Sequence, residues 1–461
     1  MQRRSTVAVT GTLVLALGLA ACSSGGGSGS EGTGGDDATD FSGETLTVWI
    51  MEGTNPDADA FFDEVTTAFK DETGADLQIE FQPWASAHDK FTTAIAGGTT
   101  PDVAEVGTTW TGEFADVGAL AGLSARLAGA GVGAGLGPGG VGSAPLGGGV
   151  YGMPWYAGVR SVVYRADLFE AAGIETPTSW DELVAAADAL KAANPEIIPF
   201  PVAGDSQYGA MPFVWGAGGD LAVKDGDTWT SEISSPESVE GLEFYTGLAT
   251  EHGFSTAAAT TWKETDLLAA FEQGQVGMMI SGSWTPGKIL ADVPDMEGKI
   301  GAFPIPGQTE GLSDSFLGGS HLGVFEASEK QDLAWKFVEM MTTGEFAQAW
   351  GEQSGYFPGQ TSLLEKVIEE NDPIVAPFAQ QMVEAGRSVP VTPLYGQIQG
   401  KKTLETMLQS VLSGSATVQE AADTAAADMD ETFGSGPDAS GRGQPARGRA
   451  PPPAGRGRRR P

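Results

Sequence analysis

Cysteine and histidine are scarce in this chain of 461 residues. It has one cysteine, Cys22, and three histidines, His88, His252 and His321, which lie far apart in the sequence. A single cysteine excludes a disulfide within the chain, and the scattered histidines do not have the spacing of metal ligands. A P-loop, an H-E-x-x-H motif and a G-x-S-x-G motif are also lacking. We therefore predict a protein that is not an enzyme and that needs no metal or other cofactor.

Basic residues are few as well. The chain has 25 Lys and Arg against 61 Asp and Glu, a formal net charge of −36. This charge repels polyanions and keeps acidic surfaces apart, so we expect a monomer without a nucleic-acid partner. Residues 434–461 are an exception, since they hold seven Arg and only one acid. They are predicted to be a disordered basic tail: either an arm for an acidic polymer or anionic lipid, or an extension read from a shifted frame.

The lone cysteine follows an apolar segment near the start of the chain. Arg3 and Arg4 precede the apolar residues 7–19, and Ala20 and Ala21 come directly before Cys22. The order is typical of a secretion signal over residues 1–21.

The four residues that end at Cys22 resemble the lipobox of bacterial lipoproteins, which implies a lipid on its sulfur. The alternative is an ordinary signal peptide with an incidental cysteine. Residues 22–43, rich in glycine and serine, then predict a flexible tether to the extracellular face of the bacterial cell membrane.

Strand and helix patterns alternate after the tether. "ETLTVWI" alternates Leu46, Val48 and Ile50 as a strand does, and the next segment places Phe62 and Phe69 on one helical face. "ADLQIEF" and the segment after Pro101 predict two more strands, each followed by a helix. This order predicts an α/β fold in which helices cover a parallel sheet.

A glycine-rich segment interrupts the pattern at residues 127–149, for which we predict irregular structure. Strands and helices then resume. "PTSWDELVAAADALKAAN" predicts a helix with Thr178 or Ser179 as its N-cap and Glu182 in the first turn.

Eight segments in a fixed order resemble family 1 of the bacterial extracellular solute-binding proteins, the maltose- and trehalose-binding type that serves ABC importers. They include "LTVWIMEG", "GGTTPDVAEVGTTWTGEFADVGAL", "FEQGQVGMMISGSW", "LGGSHLGV" and "SGYFPGQTSLL". The resemblance implies a two-lobed periplasmic-binding-protein-like fold of type II, with a hinge between the lobes. It also implies a carbohydrate ligand and ABC permease subunits as partners.

The predicted lobes are discontinuous in sequence. The first α/β lobe is predicted from residues 44–155 and 282–327, and the second from residues 156–281 and 328–433.

Loops at the carboxyl ends of strands form the ligand crevice in open α/β sheets. Aromatic rings cover the C–H faces of sugars, and polar side chains satisfy the hydroxyl rims. Trp284 follows an apolar strand where the family commonly places a stacking Trp, and Glu52 follows the first strand. The further predicted contacts, from strand ends, glycine-flanked loops and the resemblance, are Trp49, Thr108, Thr109, Trp110, Tyr156, Arg160, Trp215, Gly318, Gly319, Ser320 and Tyr356.

Several of these residues have an ordinary structural alternative. Trp49 and Trp284 fit a buried core position, Thr108 or Thr109 fits a helix cap, and Arg160 fits a salt bridge. The chain also departs from the trehalose and maltose pattern, with Gly158, Ser320 and Val391 at positions where that pattern often has Asp, Trp and Arg.

Two other functions stay open. The same fold serves a polyol, glycerol phosphate or peptide as ligand. A glycoside hydrolase needs two carboxylates about 5 to 10 Å apart, such as Glu52 with Asp102 or Glu105.

Overall fold

The computed structural model describes residues 40–130, 149–226 and 228–435. The predicted signal peptide, Cys22 and nearly all of the tether and basic tail lie outside these residues.

The described chain folds as a mixed α/β protein with 11 strands and 17 α-helices. The strands are β1 (Thr45–Met51), β2 (Asp76–Gln82), β3 (Val103–Gly107), β4 (Met153–Arg165), β5 (Ala222–Asp225), β6 (Thr228–Ser231), β7 (Met278–Gly282), β8 (Ile300–Phe303), β9 (Ser315–Val324), β10 (Phe357–Pro358) and β11 (Gly386–Arg387). The helices are α1 (Ala58–Thr73), α2 (Trp84–Gly97), α3 (Thr108–Asp116), α4 (Ser124–Ala130), α5 (Ala166–Ala172), α6 (Trp180–Ala193), α7 (Met211–Gly216), α8 (Pro236–Thr250), α9 (Glu264–Glu272), α10 (Thr285–Asp292), α11 (Gln331–Thr342), α12 (Gly344–Ser354), α13 (Thr361–Glu370), α14 (Ala376–Ala385), α15 (Tyr395–Gly400), α16 (Thr403–Leu412) and α17 (Val418–Gly434).

The first three strands form the parallel sheet that the sequence predicts. β1 pairs in parallel with β2 on one side and with β3 on the other. Leu46, Val48 and Ile50 of β1 are fully buried, as their alternation predicts. The carboxyl ends of the three strands therefore meet at one edge of the sheet.

Local signals in the sequence explain where helices begin and end. α1 buries Phe62, Val65 and Phe69 and ends at Gly74, whose φ of 77° is the left-handed conformation that glycine adopts without strain. The side chain of Ser179 accepts a hydrogen bond from the backbone N–H of Glu182 and is the N-cap of α6.

Two long strands cross from one half of the molecule to the other. The first half of β4 pairs with β9, which pairs in turn with β3, whereas residues 160–165 of β4 pair with β7 and β8. β10 adds a short third connection, since Phe357 and Pro358 pair with Ala157 and Tyr156. These crossings give the described chain the two-lobed form.

Packing divides the chain differently from the predicted lobe boundaries. α11 and α12 share a core with β1 and α1, because Phe337 and Trp350 pack with Leu46 and Phe61. α10 and β8 lie with the other half, where Ile289 and Ile300 pack with Met279. We infer that the boundaries lie in the crossing strands, so that residues 331–354 belong to the first lobe and residues 285–303 to the second.

The glycine-rich segment begins later than the sequence predicts. α4 continues to Ala130, and its Leu127 is buried in the core of the first lobe. The prediction of irregular structure is therefore wrong at residues 127–130, which are helical. Residues 131–148 lie outside the described part of the chain.

Candidate functional site

An aromatic stack lies beside the crossing strands. The rings of Trp284 and Tyr356 are nearly parallel, with centroids 4.5 Å apart and planes 10° apart. Trp284 follows β7 and precedes α10, and Tyr356 precedes β10. Both side chains are half-buried. The structure thus brings together two residues that are 72 positions apart in the sequence and that were both predicted as contacts.

Glycines make room for this stack. A Cβ atom at Gly158 would lie 2.9 Å from ring atoms of both Trp284 and Tyr356, and one at Gly282 would lie 2.0 Å from the indole. Gly158 is one of the departures from the trehalose and maltose pattern. The missing side chain lets the two rings lie against β4.

Arg160 joins the stack but is already paired with a carboxylate. Its Nε and Nη2 donate to the two carboxylate oxygens of Glu264 at 2.6 and 2.8 Å. Its Cζ lies 3.9 Å from the ring centroid of Tyr208 and 5.3 Å from that of Trp284. Burial lowers the pKa of Arg160, but the charge and hydrogen bonds of Glu264, together with Tyr208 and Tyr356, leave the pKa above its usual value. The structure therefore shows the salt bridge that was the alternative to a free guanidinium.

Tyr156 packs against the Tyr356 ring of the stack. Its ring centroid lies 4.4 Å from that of Tyr356, and its own side chain is buried. Its hydroxyl donates to Glu105 Oε1, and the same oxygen accepts from Ser320 Oγ at 2.8 Å. The backbone N–H of Met51 donates to Glu105 Oε2 at 2.9 Å.

The carboxyl group of Glu105 is fully buried in this network. Burial raises the pKa of Glu105 to about 7, while the hydrogen bonds from Tyr156, Met51 and Ser320 lower it. Tyr156 and Ser320 are thus held inside the sheet by hydrogen bonds, and the ring of Tyr156 contacts that of Tyr356.

Gly318 and Gly319 allow close packing of β9 in the same region. A Cβ at Gly319 would lie 2.1 Å from the carbonyl oxygen of Tyr156, and one at Gly318 would lie 2.4 Å from the ring of Phe316. Gly319 therefore lets β9 lie close to β4, and Gly318 leaves room for the ring of Phe316 in the same strand.

A small pocket lies between the two halves. Its volume is about 50 Å³, and it is lined by Thr108, Thr109 and Gly112 from α3, Phe316 and Leu317 from β9, and residues 388–393. The start of α3 has no side-chain cap, so neither threonine caps it. Val391, another departure from the family pattern, is 49% exposed at this pocket. Phe316 connects the pocket to Arg160, whose Cζ is 5.3 Å from its ring centroid.

Trp110 and Glu52 lie at the carboxyl ends of β3 and β1. Trp110 is half-buried, and its ring centroid lies 5.7 Å from that of Trp84. Glu52 is exposed, one residue beyond Met51, and its backbone N–H donates to Gln82.

Trp49 and Trp215 lie in hydrophobic cores and away from the stack. Trp49 is 8% exposed, with Phe91 at 5.5 Å on its ring and Lys90 Nζ at 4.0 Å over it. Trp215 is 5% exposed within the second lobe, and Arg387 lies over its ring. Trp49 lies on the face of β1 opposite to Val48 and Ile50, and its contacts with α2 account for the burial that the strand pattern left open.

Three side chains at the site were not predicted as contacts. The Oγ atom of Ser283, next to Trp284, is buried and has no hydrogen-bond partner among the described residues. Trp84 is 38% exposed at the carboxyl end of β2. Glu52 was predicted as a contact because it follows a strand, and the same signal applies to Trp84. Glu264 lies 104 residues from Arg160 in the sequence, and no local motif marks the pair.

Across residues 40–130, 149–226 and 228–435, no three His, Cys, Asp or Glu side chains are grouped so that they could hold a metal ion.

The two crossed lobes and the cleft between them are those of a solute-binding protein. The sequence profile described as "Bacterial extracellular solute-binding protein" matches residues 53–347, more than half of the chain, and the chain belongs to this family.

Similar proteins span almost the whole chain. The diacetylchitobiose-binding protein DasA of Streptomyces coelicolor is 29% identical over 418 residues, covering 89% of this chain and 95% of that protein. An ABC transporter solute-binding protein of Thermotoga lettingae, solved with α-D-tagatose, is also 29% identical; the TM-score is 0.77, with 85% of this chain and 100% of that chain covered. The GacH receptor of Streptomyces glaucescens, solved with acarbose, shares the fold with a TM-score of 0.75 at 24% identity, over 85% of this chain and 99% of that chain.

Proposed function

We propose that this protein is a lipid-anchored receptor that captures an extracellular sugar or oligosaccharide between its lobes and delivers it to the permease of an ABC importer. The observation that carries the proposal is the stack of Trp284 on Tyr356, which presents aromatic surface beside the crossing strands. Similar proteins in this family bind diacetylchitobiose, tagatose and acarbose. All three are carbohydrates, which supports the same ligand class here.

Residues of both lobes meet at the cleft, as capture by closure requires. Thr108 and Thr109 come from the first lobe, and residues 388–393 face them from the second. A ligand that contacts both sets favours the closed arrangement, because only contacts made in that arrangement shift the population toward it. The hydroxyls of Thr108, Thr109 and Ser283 are groups that can satisfy a sugar rim.

A hydrolytic function has little support from the carboxylates that the sequence offered for it. Both oxygens of Glu105 are engaged by Met51, Tyr156 and Ser320 inside the sheet. Asp102 accepts hydrogen bonds from Thr47, Ser328 and Lys330 at the amino end of β3, whereas Glu52 lies beyond the carboxyl end of β1. We therefore propose a non-enzymatic receptor.

The proposed place of action is the outer face of the cell membrane. The family is extracellular, which supports this place of action. Separately, no helix in the described residues is long and apolar enough to cross a membrane. The proposed anchor is a lipid on Cys22. The proposed oligomeric state is a monomer, because the net charge of −36 makes copies of the chain repel each other.

Tryptophan fluorescence of the full chain carrying Cys22→Ser, titrated with mono- and oligosaccharides, tests the ligand class. We expect a saturable change with one sugar class and none with peptides, polyols or glycerol phosphate. If no sugar changes the tryptophan fluorescence of a chain that unfolds in a cooperative thermal transition, the proposal of a sugar receptor is wrong. A response to a polyol or to glycerol phosphate alone would assign that ligand to the fold instead.

A further inference from the structure

We propose that Glu264 is a specificity-determining residue that restricts the ligand to uncharged sugars and excludes uronic acids and phosphorylated sugars. This inference rests on the proposed function, because it concerns the charge of the sugar bound at the same site. The chemical basis is the neutralisation of Arg160 beside the aromatic stack.

The Cζ of Arg160 lies 5.3 Å from the ring centroid of Trp284, and its charge is already compensated. The pairing with Glu264 is bidentate, with both N–O distances below 3 Å. The Arg160 side chain is 7% exposed and that of Glu264 is 28% exposed, so solvent screens the pair weakly. The pair as a whole carries no net charge toward a ligand on Trp284.

The geometry of the guanidinium still leaves hydrogen-bond donors for neutral hydroxyls. Arginine has five N–H groups, and Glu264 engages only Nε and Nη2. Glu264 can also accept from a sugar hydroxyl at its exposed edge. A ligand carboxylate at this place would meet the carboxylate of Glu264, and like charges held close together repel.

A second guanidinium near the cleft is also compensated. Arg387, which directly precedes the pocket-lining residues 388–393, donates to Asp220 at 2.6 Å and to Asp314 at 3.2 Å. On the first lobe, Lys90 donates to Gln82 and lies over Trp49 in the core, not over the stack. Binding of an anionic sugar beside these two guanidinium groups would therefore cost the desolvation of its charge, because carboxylates already compensate both.

The experiment compares neutral oligosaccharides with uronic acids of equal length by isothermal titration calorimetry. Cellobiose, maltose and diacetylchitobiose are the neutral ligands, and cellobiouronic acid and digalacturonate are the charged ones. We expect the wild-type chain to bind a neutral ligand at least 100-fold more tightly than any uronic acid. Glu264→Gln leaves the charge of Arg160 uncompensated. We expect the ratio of the affinity for neutral sugars to that for uronic acids to fall at least tenfold, because the variant binds uronic acids more tightly. Added salt should reduce this gain in affinity for uronic acids.

Two controls separate charge from loosened packing. Asp167→Asn makes the same change at the bidentate pair with Arg165, which lies at the far end of β4, and should leave the preference unchanged. The double variant Arg160→Gln/Glu264→Gln removes both charges, so its preference should return to that of the wild type. If Glu264→Gln does not fold, Arg160→Gln gives the opposite test, since the free carboxylate of Glu264 should strengthen the exclusion of uronic acids.

The outcomes distinguish the inference from the function on which it rests. Equal binding of neutral and uronic sugars by the wild type, or an unchanged preference in folded Glu264→Gln, would overturn the role of Glu264 while leaving the sugar receptor intact. A folded wild-type chain that binds neither class would overturn both.

Discussion

The indole of Trp284 and the phenol ring of Tyr356 lie face to face across the hinge region, 4.5 Å apart. Trp284 directly precedes α10, whereas Tyr356 lies on the connection from α12 to β10. We infer that the contact joins the two lobes next to the crossing strand β4, because α10 packs with one half of the chain and α12 with the other. We expect a ligand that stacks on either ring to alter this contact.

Replacing Trp284 with Ala should weaken binding of the cognate sugar at least tenfold, a loss of about 1.4 kcal/mol. The reason is the loss of a large aromatic face that both covers a sugar ring and fixes Tyr356. Calorimetric titration measures the change. Trp229→Ala is the matched control, because Trp229 is also half-buried but packs near Phe433 in the second lobe. Equal affinities of the two variants for the sugar would show that Trp284 does not contribute to binding.

Adding one methyl group at Gly158 should also damage the site. A Cβ there would lie 2.9 Å from both rings, so Gly158→Ala must separate them or move β4. Overpacking of this kind costs about 1–3 kcal/mol of unfolding free energy, and the displaced platform should bind sugar more weakly. Urea denaturation and titration measure the two effects.

Gly287→Ala provides the control for Gly158→Ala. Gly287 lies in α10, three residues after Trp284, and nothing stands within 4 Å of its added Cβ. This variant should keep full affinity and gain up to about 1 kcal/mol of stability from helix propensity. Unchanged stability and affinity in Gly158→Ala would show that the rings have another arrangement in solution.

Local patterns were enough to predict several individual strands and helices. The alternation in β1, the face of α1 and the capping residue of α6 are all confirmed, because each depends on residues within one turn or strand. The position of Trp284 after a buried strand was likewise visible in the sequence.

What the sequence could not supply depends on distant contacts. Nothing near Arg160 signals Glu264, 104 residues away, and the amphipathic face of α11 does not say which sheet covers it. The burial of Trp49 depends on Phe91 and Lys90 from α2. Pairing partners of this kind are decided by the tertiary fold, and periodicity carries no information about them.

Cys22→Ser tests the proposed anchor in the cell. We expect the wild-type chain to fractionate with membranes and to take up a radiolabelled fatty acid, because a thioether-linked lipid needs the sulfur. The serine variant should appear in the medium or the soluble fraction without label. Ser24→Ala, two residues further on, should remain anchored. Membrane association and labelling that persist in Cys22→Ser would disprove lipid attachment at this residue.

The buried carboxyl of Glu105 should make stability depend on pH. Its pKa in the folded chain, about 7, lies above the ordinary value of 4.5, chiefly because of burial. The folded state therefore holds the proton more tightly than the unfolded state. The stability that this group contributes is fully present below pH 4.5 and is lost as the pH rises through 7, at about 1.4 kcal/mol per unit of pKa difference.

Urea denaturation of the wild type and Glu105→Gln at pH 5 and pH 8 measures this contribution. Glu105→Gln cannot ionise, so the wild type should lose at least about 1.4 kcal/mol more than this variant between the two pH values. At pH 5 the variant should be the less stable of the two, because an amide N–H that faces the N–H of Met51 cannot replace the carboxyl oxygen there. Glu64→Gln on the exposed face of α1 should follow the wild type at both pH values.

Tyr156→Phe removes a hydrogen bond that lowers the pKa of Glu105, so the loss of stability should shift to higher pH in that variant. Parallel pH profiles for the wild type and Glu105→Gln would mean that Glu105 keeps one protonation state throughout, and that Tyr156 and Ser320 are held by a network insensitive to pH.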